Sequence, residues 1–162
     1  MKIIDNFLSQ DVFSELKHVM SLPDFPWFWN DNIVEDKELL CDELDNYQLT
    51  HSFVHDGVQK SDWYPMLLPI LRKTDCKALI RAKANLNPRT SEIIQSAYHT
   101  DFDNCTTAIF YLNTCNGYTQ FKNGERVSSV ENRMLFFDSS LQHTGTSCTD
   151  SKRRMVINFN YI

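Results

Sequence analysis

One of the chain's five histidines, His99, stands two places before Asp101 in the stretch AYHTDFDN. On a strand, residues i and i+2 project from the same face, so an imidazole and a carboxylate at this spacing can aim at one point. A metal ion is what such a pair would hold. A His-x-Asp triplet is short enough to arise by chance, however, and carries weight only with a third ligand. His143, in FFDSSLQHTGTS, is the candidate. It follows the apolar run MLFF, and the chain between Asp101 and His143 is long enough for several strands to run out and back.

Two histidines and one carboxylate fill three neighbouring positions of an octahedral metal and leave the others open. That ligand set suits Fe(II), and the open positions admit a bidentate cosubstrate and O2. The terminal run SKRRMVINFNYI then matters. As a strand it places Arg154, Val156 and Asn158 on one face and Arg153, Met155 and Ile157 on the other. An arginine facing into a barrel is costly unless it meets an anion. Its planar fork matches a carboxylate in a bidentate manner, and the far carboxylate of 2-oxoglutarate is such a group. Tyr111, in AIFYLN, can add a hydroxyl to the same carboxylate. A one-residue slip in register would turn Arg153 inward instead. Taken alone, Arg154 reads equally well as a surface strand residue.

The elements that must position these residues fall into two halves. Over residues 1–75, Ser9 can cap a helix in QDVFSELKHVMSL, where Val12, Phe13, Leu16, Val19 and Met20 recur at helical spacing and Pro23 closes the run. Ser61 can cap a second in DWYPMLLPILRKT, with Pro65 in its first turn and Pro69 expected to kink it. PWFWN followed by NDNIVEDKELLCDELDNY reads as an aromatic-anchored segment leading into a loop, with the three tryptophans as core rather than as a platform for a substrate. Over residues 76–162, CKALIRAKANL, TTAIFYLN, GYTQF, ERVSSV, RMLFF and RMVINFNYI are short and rich in β-branched or aromatic residues. Asn123-Gly124 is a hairpin signal between two of them. One domain over 1–162 follows, of the α+β class but mainly β: a jelly roll with the N-terminal helices packed on one face.

The pattern YHTD, TTAIFYLN, GYTQF, RMLFFDSSLQHTGTS and RRMVINFNY resembles the 2-oxoglutarate/Fe(II)-dependent dioxygenases in their prolyl-4-hydroxylase-like branch. It is similar to small members encoded by bacteriophages and marine microbes. The resemblance covers residues 76–162; the opening IIDNFLSQDVF is similar to the family's lead-in. It implies a double-stranded β-helix (cupin-like), with His99, Asp101 and His143 as Fe(II) ligands and catalytic centre, and Arg154 and Tyr111 as 2-oxoglutarate contacts. A second cosubstrate tyrosine common in the family has no counterpart in ANLNPRT, where Asn85 or Asn87 would have to take its place. The implied reaction consumes 2-oxoglutarate and O2, with ascorbate as an auxiliary reductant, releases succinate and CO2, and hydroxylates an unactivated C–H bond. Asp101 argues against the halogenating variant of this fold, which leaves the carboxylate position empty for halide. The substrate expected first is a peptidyl residue, prolyl among them, and next a free amino acid or other small molecule.

Bulk properties limit the alternatives. The chain has 162 residues, is 42% hydrophobic and 23% charged, and carries a formal net charge of −5. That balance disfavours a general nucleic-acid binder, although Lys77, Arg81 and Lys83 alternate with small apolar residues and keep nucleic-acid oxidation as a minor alternative. No apolar run is long enough to span a bilayer, and the N-terminal residues do not read as a signal peptide, so a cytoplasmic protein is the expectation. The five cysteines are odd in number and lack a C-x-x-C pair, which argues against a disulfide framework or a thiolate zinc site. Two other classes remain: a non-catalytic cupin-like module that binds a metal or a small acid, and a zinc hydrolase using the same three ligands with Asp103 as a weak candidate base.

Overall fold

The computed structural model describes residues 1–33 and 39–162. Its elements in chain order are β1 (Lys2–Ile4), α1 (Gln10–Val19), β2 (Phe28–Asn30), β3 (Gln48–His55), β4 (Val58–Gln59), α2 (Leu68–Leu71), β5 (Leu79–Pro88), β6 (Thr106–Tyr111), β7 (Tyr118–Phe121), β8 (Arg126–Ser128), β9 (Arg133–Asp138), β10 (His143–Gly145) and β11 (Arg153–Tyr161). An eight-stranded antiparallel sheet runs in the order β1-β9-β6-β11-β5-β3-β2, with β4 attached to β3. A three-stranded sheet, β10-β7-β8, forms a second layer.

The two-residue period of the strands sorts side chains between two faces of the large sheet. On one face, Met155, Ile157 and Phe159 of β11, Ala82 and Ala84 of β5, and Phe110 of β6 pack with Phe13 and Leu16 of α1 and with Leu67 and Ile70. Each large apolar side chain fully buried there stabilises by roughly 1.5–3 kcal/mol. On the other face, Ile109, Tyr111, Leu135, Phe137 and Val156 meet Phe121 and Val127 of the small sheet. In β9 the alternation is plain: Leu135 and Phe137 share this inner face, while Phe136 between them packs against the outer core. Two facing sheets give the expected double-stranded β-helix, helices outside and a cavity between the layers.

Several expectations for residues 1–75 differ from the structure. This part was expected to be helical and irregular, yet β3 is an eight-residue strand inserted between β5 and β2. The second helix is shorter than its apolar stripe suggested: a 3-10 turn over Tyr64–Leu67 precedes the four-residue α2. Pro69 has no N–H to bond residue 65, and the Leu68 N–H closes a 3-10 turn on the Pro65 carbonyl instead. Ser61 Oγ accepts from the Trp63 N–H, 3.1 Å. Residues 34–38 of the expected acidic loop lie outside the described residues. Trp27 and Trp63 pack on the core, whereas Trp29 is exposed and stacks on Tyr47. All five cysteines are free. Cys115, Cys148 and Asp150 also place ligand atoms within 4.8 Å of one another, the two thiols buried and the carboxylate exposed; burial raises the pKa of the Cys148 thiol.

Asn132 ties the N-terminal segment to the barrel. Its backbone is left-handed (φ 58°), its Oδ1 accepts from Leu8 N–H and its Nδ2 donates to Leu8 O, both at 2.9 Å. Asn132→Ala removes two buried hydrogen bonds and puts a less tolerant residue at positive φ. We expect a loss of about 2–4 kcal/mol in urea unfolding. A loss under about 0.5 kcal/mol would show that this clamp does not hold the segment.

Candidate metal centre and its pocket

His99 and Asp101 are not on a regular strand, as their spacing had suggested. His99 instead forms an isolated antiparallel bridge with His143, N–H to carbonyl at 2.9 Å in both directions. This bridge sets the two rings side by side, with centroids 4.6 Å apart. Nδ1 of His143 lies 3.0 Å from Leu141 O and Nδ1 of His99 lies 3.3 Å from Ala97 O. A carbonyl at Nδ1 selects the tautomer that leaves Nε2 as a lone-pair donor. Both Nε2 atoms face Asp101, at 4.0 Å for His99 and 3.9 Å for His143. Ligand atoms of all three residues lie within 4.8 Å of one another, as a single ion would require.

Four donors seat the Asp101 carboxylate: Arg81 (2.6 Å), Asn160 (3.1 Å), Thr107 (3.2 Å) and Asn158 (3.3 Å). Burial works to raise its pKa, but Arg81, His143, the Asn160 hydrogen bond and His99 together hold it well below the usual carboxylate range. His143 is buried, and burial outweighs the attraction of Asp101 to lower its pKa below the ordinary histidine value. An ionised carboxylate and a neutral imidazole are the forms that ligate a metal at neutral pH.

Arg154 lies in the same cavity, of about 420 Å³. Although only 3% exposed, its guanidinium meets neutral groups alone: Nε donates to Ser129 Oγ (2.7 Å), one terminal nitrogen to Thr119 Oγ1 (3.2 Å), the other to Thr146 O (3.4 Å). No carboxylate among the described residues comes within 4.0 Å of it. Tyr111 is fully buried beneath it, its ring centroid 5.6 Å from the guanidinium carbon, and its hydroxyl hydrogen-bonds Thr119 Oγ1 at 2.8 Å. Tyr111 thus shares Thr119 with Arg154. Arg153, on the neighbouring position, is not among the residues lining this cavity. Asn85 and Asn87 both line it, and the Oδ1 atoms of Asn85 and Asn158 are buried without a partner.

Gly117 makes room for this arginine. A Cβ there would come within 2.5 Å of Ser147 O and 2.6 Å of Arg154 Cδ. Gly117→Ala must therefore displace either backbone or the arginine stem. We expect a stability loss of about 1–3 kcal/mol, measured by thermal or urea unfolding; an unchanged unfolding midpoint would refute the close approach.

The residue types of the triad and of Arg154 stand out in the sequence. Their seats do not: Ser129, Thr119 and Thr146 are common polar residues on separate segments, gathered only by the second sheet. Asn158 and Asn160 did leave a signal, as two amides at alternate positions among the apolar residues that follow Arg153 and Arg154 in the terminal strand.

No protein-family profile and no curated protein matches the chain. Its fold is that of several solved structures. A prolyl hydroxylase from Trichoplax adhaerens, solved with a hypoxia inducible factor oxygen degradation domain peptide, superposes with a TM-score of 0.69 at 17% identity, over 99% of this chain and 82% of that one. A prolyl-4-hydroxylase from Pseudomonas putida gives 0.60 at 14% identity, over 99% and 91%. A 2OG-Fe(II) oxygenase family protein from Burkholderia pseudomallei gives 0.67 at 8% identity, over 98% and 84%.

Proposed function

We propose that the protein is a 2-oxoglutarate- and O2-dependent Fe(II) hydroxylase acting on a peptidyl residue, prolyl among the candidates, or on an amino acid. The observation that carries this reading is Arg154: a buried guanidinium with no anionic partner among the described residues, opening onto the cavity that holds His99, Asp101 and His143. A desolvated cation of this kind is costly until an anion arrives. A cupin-like module that only held a metal would leave it unexplained.

The residues fit the implied groups. His99, Asp101 and His143 offer two neutral nitrogens and one carboxylate, the borderline donor set that suits Fe(II). Arg154, with the hydroxyls of Thr119 and Ser129 around it, offers a charged fork to the far carboxylate of 2-oxoglutarate. Tyr111 positions Thr119 from below, and burial raises the pKa of its hydroxyl, so it stays protonated. Arg81, Asn158 and Asn160 keep Asp101 ionised and turned toward the two imidazoles. Phe121 and Phe137 pack against His143 and shield that side of the centre from water. When bound, Fe(II) and 2-oxoglutarate supply the O2-dependent oxidation of a C–H bond, with succinate and CO2 as coproducts. The protein's part is to bind, orient and exclude water.

The exposed aromatic lip of β2, Phe28 and Trp29, lies next to Asn30 and Asn32 at the cavity wall. It gives an extended peptide a surface to rest on. The test is a substrate-dependent succinate-release screen over prolyl and other peptides, free amino acids and oligonucleotides. Release stimulated by a peptide or an amino acid upholds the reading; stimulation by oligonucleotides alone would move the substrate to nucleic acid.

A further inference from the structure

The cavity holds another cation that the chemistry above does not use. β5 pairs with β11 so that Lys83 lies opposite Asn158 and Asn85 opposite Val156. The alternation that buries Ala82 and Ala84 in the core turns Arg81, Lys83 and Asn85 to the cavity. Arg81 is committed to Asp101 and Asn160. Lys83 is half-buried, and among the described residues its ammonium makes no hydrogen bond and has no carboxylate within 4.0 Å. Burial and the neighbouring Arg81 both lower its pKa, with Asp101 opposing them. Beside it, Asn85 Oδ1 and Asn158 Oδ1 are buried acceptors without donors. The Asn158 amide cannot simply turn over, because its Nδ2 donates to Asp101. Arg154 is four residues from Asn158 along β11, roughly 13 Å of strand, and its guanidinium is engaged by Ser129, Thr119 and Thr146, none of which bonds Lys83.

We propose that Lys83 binds a second carboxylate, delivered beside the metal ligands and separate from the one at Arg154; where a substrate carries it, Asn85 Oδ1 accepts a hydrogen bond from a substrate N–H. The proposal rests on the reading of this cavity as an Fe(II) and 2-oxoglutarate site. Two molecules could carry that carboxylate: 2-oxoglutarate itself, through its near end, or a substrate with an acidic group. Calorimetry on the anaerobic Fe(II) protein separates them, with 2-oxoglutarate titrated in one arm. The blocked tripeptides Ala-Asp-Ala and Ala-Asn-Ala are titrated in the other, with and without 2-oxoglutarate.

If the near end of 2-oxoglutarate is the partner, Lys83→Met weakens its binding about tenfold or more and Lys83→Arg restores most of it. If the substrate is the partner, 2-oxoglutarate binding stays within about twofold, while the wild-type preference for the aspartyl over the asparaginyl peptide disappears in Lys83→Met. No change in either arm overturns the proposal. The melting temperature supplies a check independent of ligand. Removing a desolvated, unneutralised ammonium leaves Lys83→Met at least as stable as wild type, and a markedly lower melting temperature would make Lys83 a structural residue and overturn the proposal too. Should the wild-type protein bind no 2-oxoglutarate at all, the proposed function fails, and Lys83 is judged on the peptide arm alone.

Discussion

Replacing His143 by alanine is expected to weaken Fe(II) binding by more than about a hundredfold. Loss of an outer-shell partner of a ligand already costs roughly 10–100-fold in many metal sites, and His143 is placed as a ligand itself. Its Nδ1 faces Leu141 O, its Nε2 faces Asp101, and burial keeps the ring neutral. Anaerobic metal titration measures the effect. His55→Ala, at an exposed position, serves as the control and should bind like wild type. Because His143 also packs on Phe121 and Phe137, the variant's circular dichroism must match wild type for the comparison to count. A folded His143→Ala protein with unchanged affinity would remove this residue from the site.

Arg154→Met is expected to raise the dissociation constant for 2-oxoglutarate by roughly thirty- to a thousandfold, the equivalent of about 2–4 kcal/mol for a buried charge-assisted pair. Fe(II) binding should change little, since none of the three metal ligands bonds to Arg154. Methionine keeps much of the stem volume and removes only the fork. Arg153→Ala should cost little, because that side chain does not line the cavity. If Arg153→Ala gave the large effect and Arg154→Met the small one, the other face of β11 would be reading the carboxylate. If neither had an effect, the cosubstrate would not be a dicarboxylic 2-oxo acid.

The strands that were legible in the sequence are those with a clear two-residue period. In RAKAN, and at Ile157–Tyr161 of RMVINFNYI, apolar residues alternate with polar ones, and this two-residue period tells which side chains share a face even though β11 is buried on both. That is how Arg154, Val156 and Asn158 could be placed together before their surroundings were known. β3 was not legible. QLTHSFVH mixes histidine, threonine and serine with its apolar residues, and its strand conformation comes from pairing with β5 on one side and β2 on the other. β10 has three residues, too few to show a period, yet it carries His143. The basic residues of β5 could be seen to share a face, but whether that face met water or a cavity depended on the second sheet. The structure turns Arg81 and Lys83 to the cavity.

We propose that one cavity binds Fe(II) on His99, Asp101 and His143 and 2-oxoglutarate against Arg154. Anaerobic addition of 2-oxoglutarate to the Fe(II) protein tests it most directly, because chelation of Fe(II) by a 2-oxo acid produces a visible charge-transfer absorption. A saturable band is expected that needs both components, is absent in His143→Ala, and in Arg154→Met appears only at much higher 2-oxoglutarate. No band in the wild-type protein, or one that persists unchanged in both variants, would contradict it.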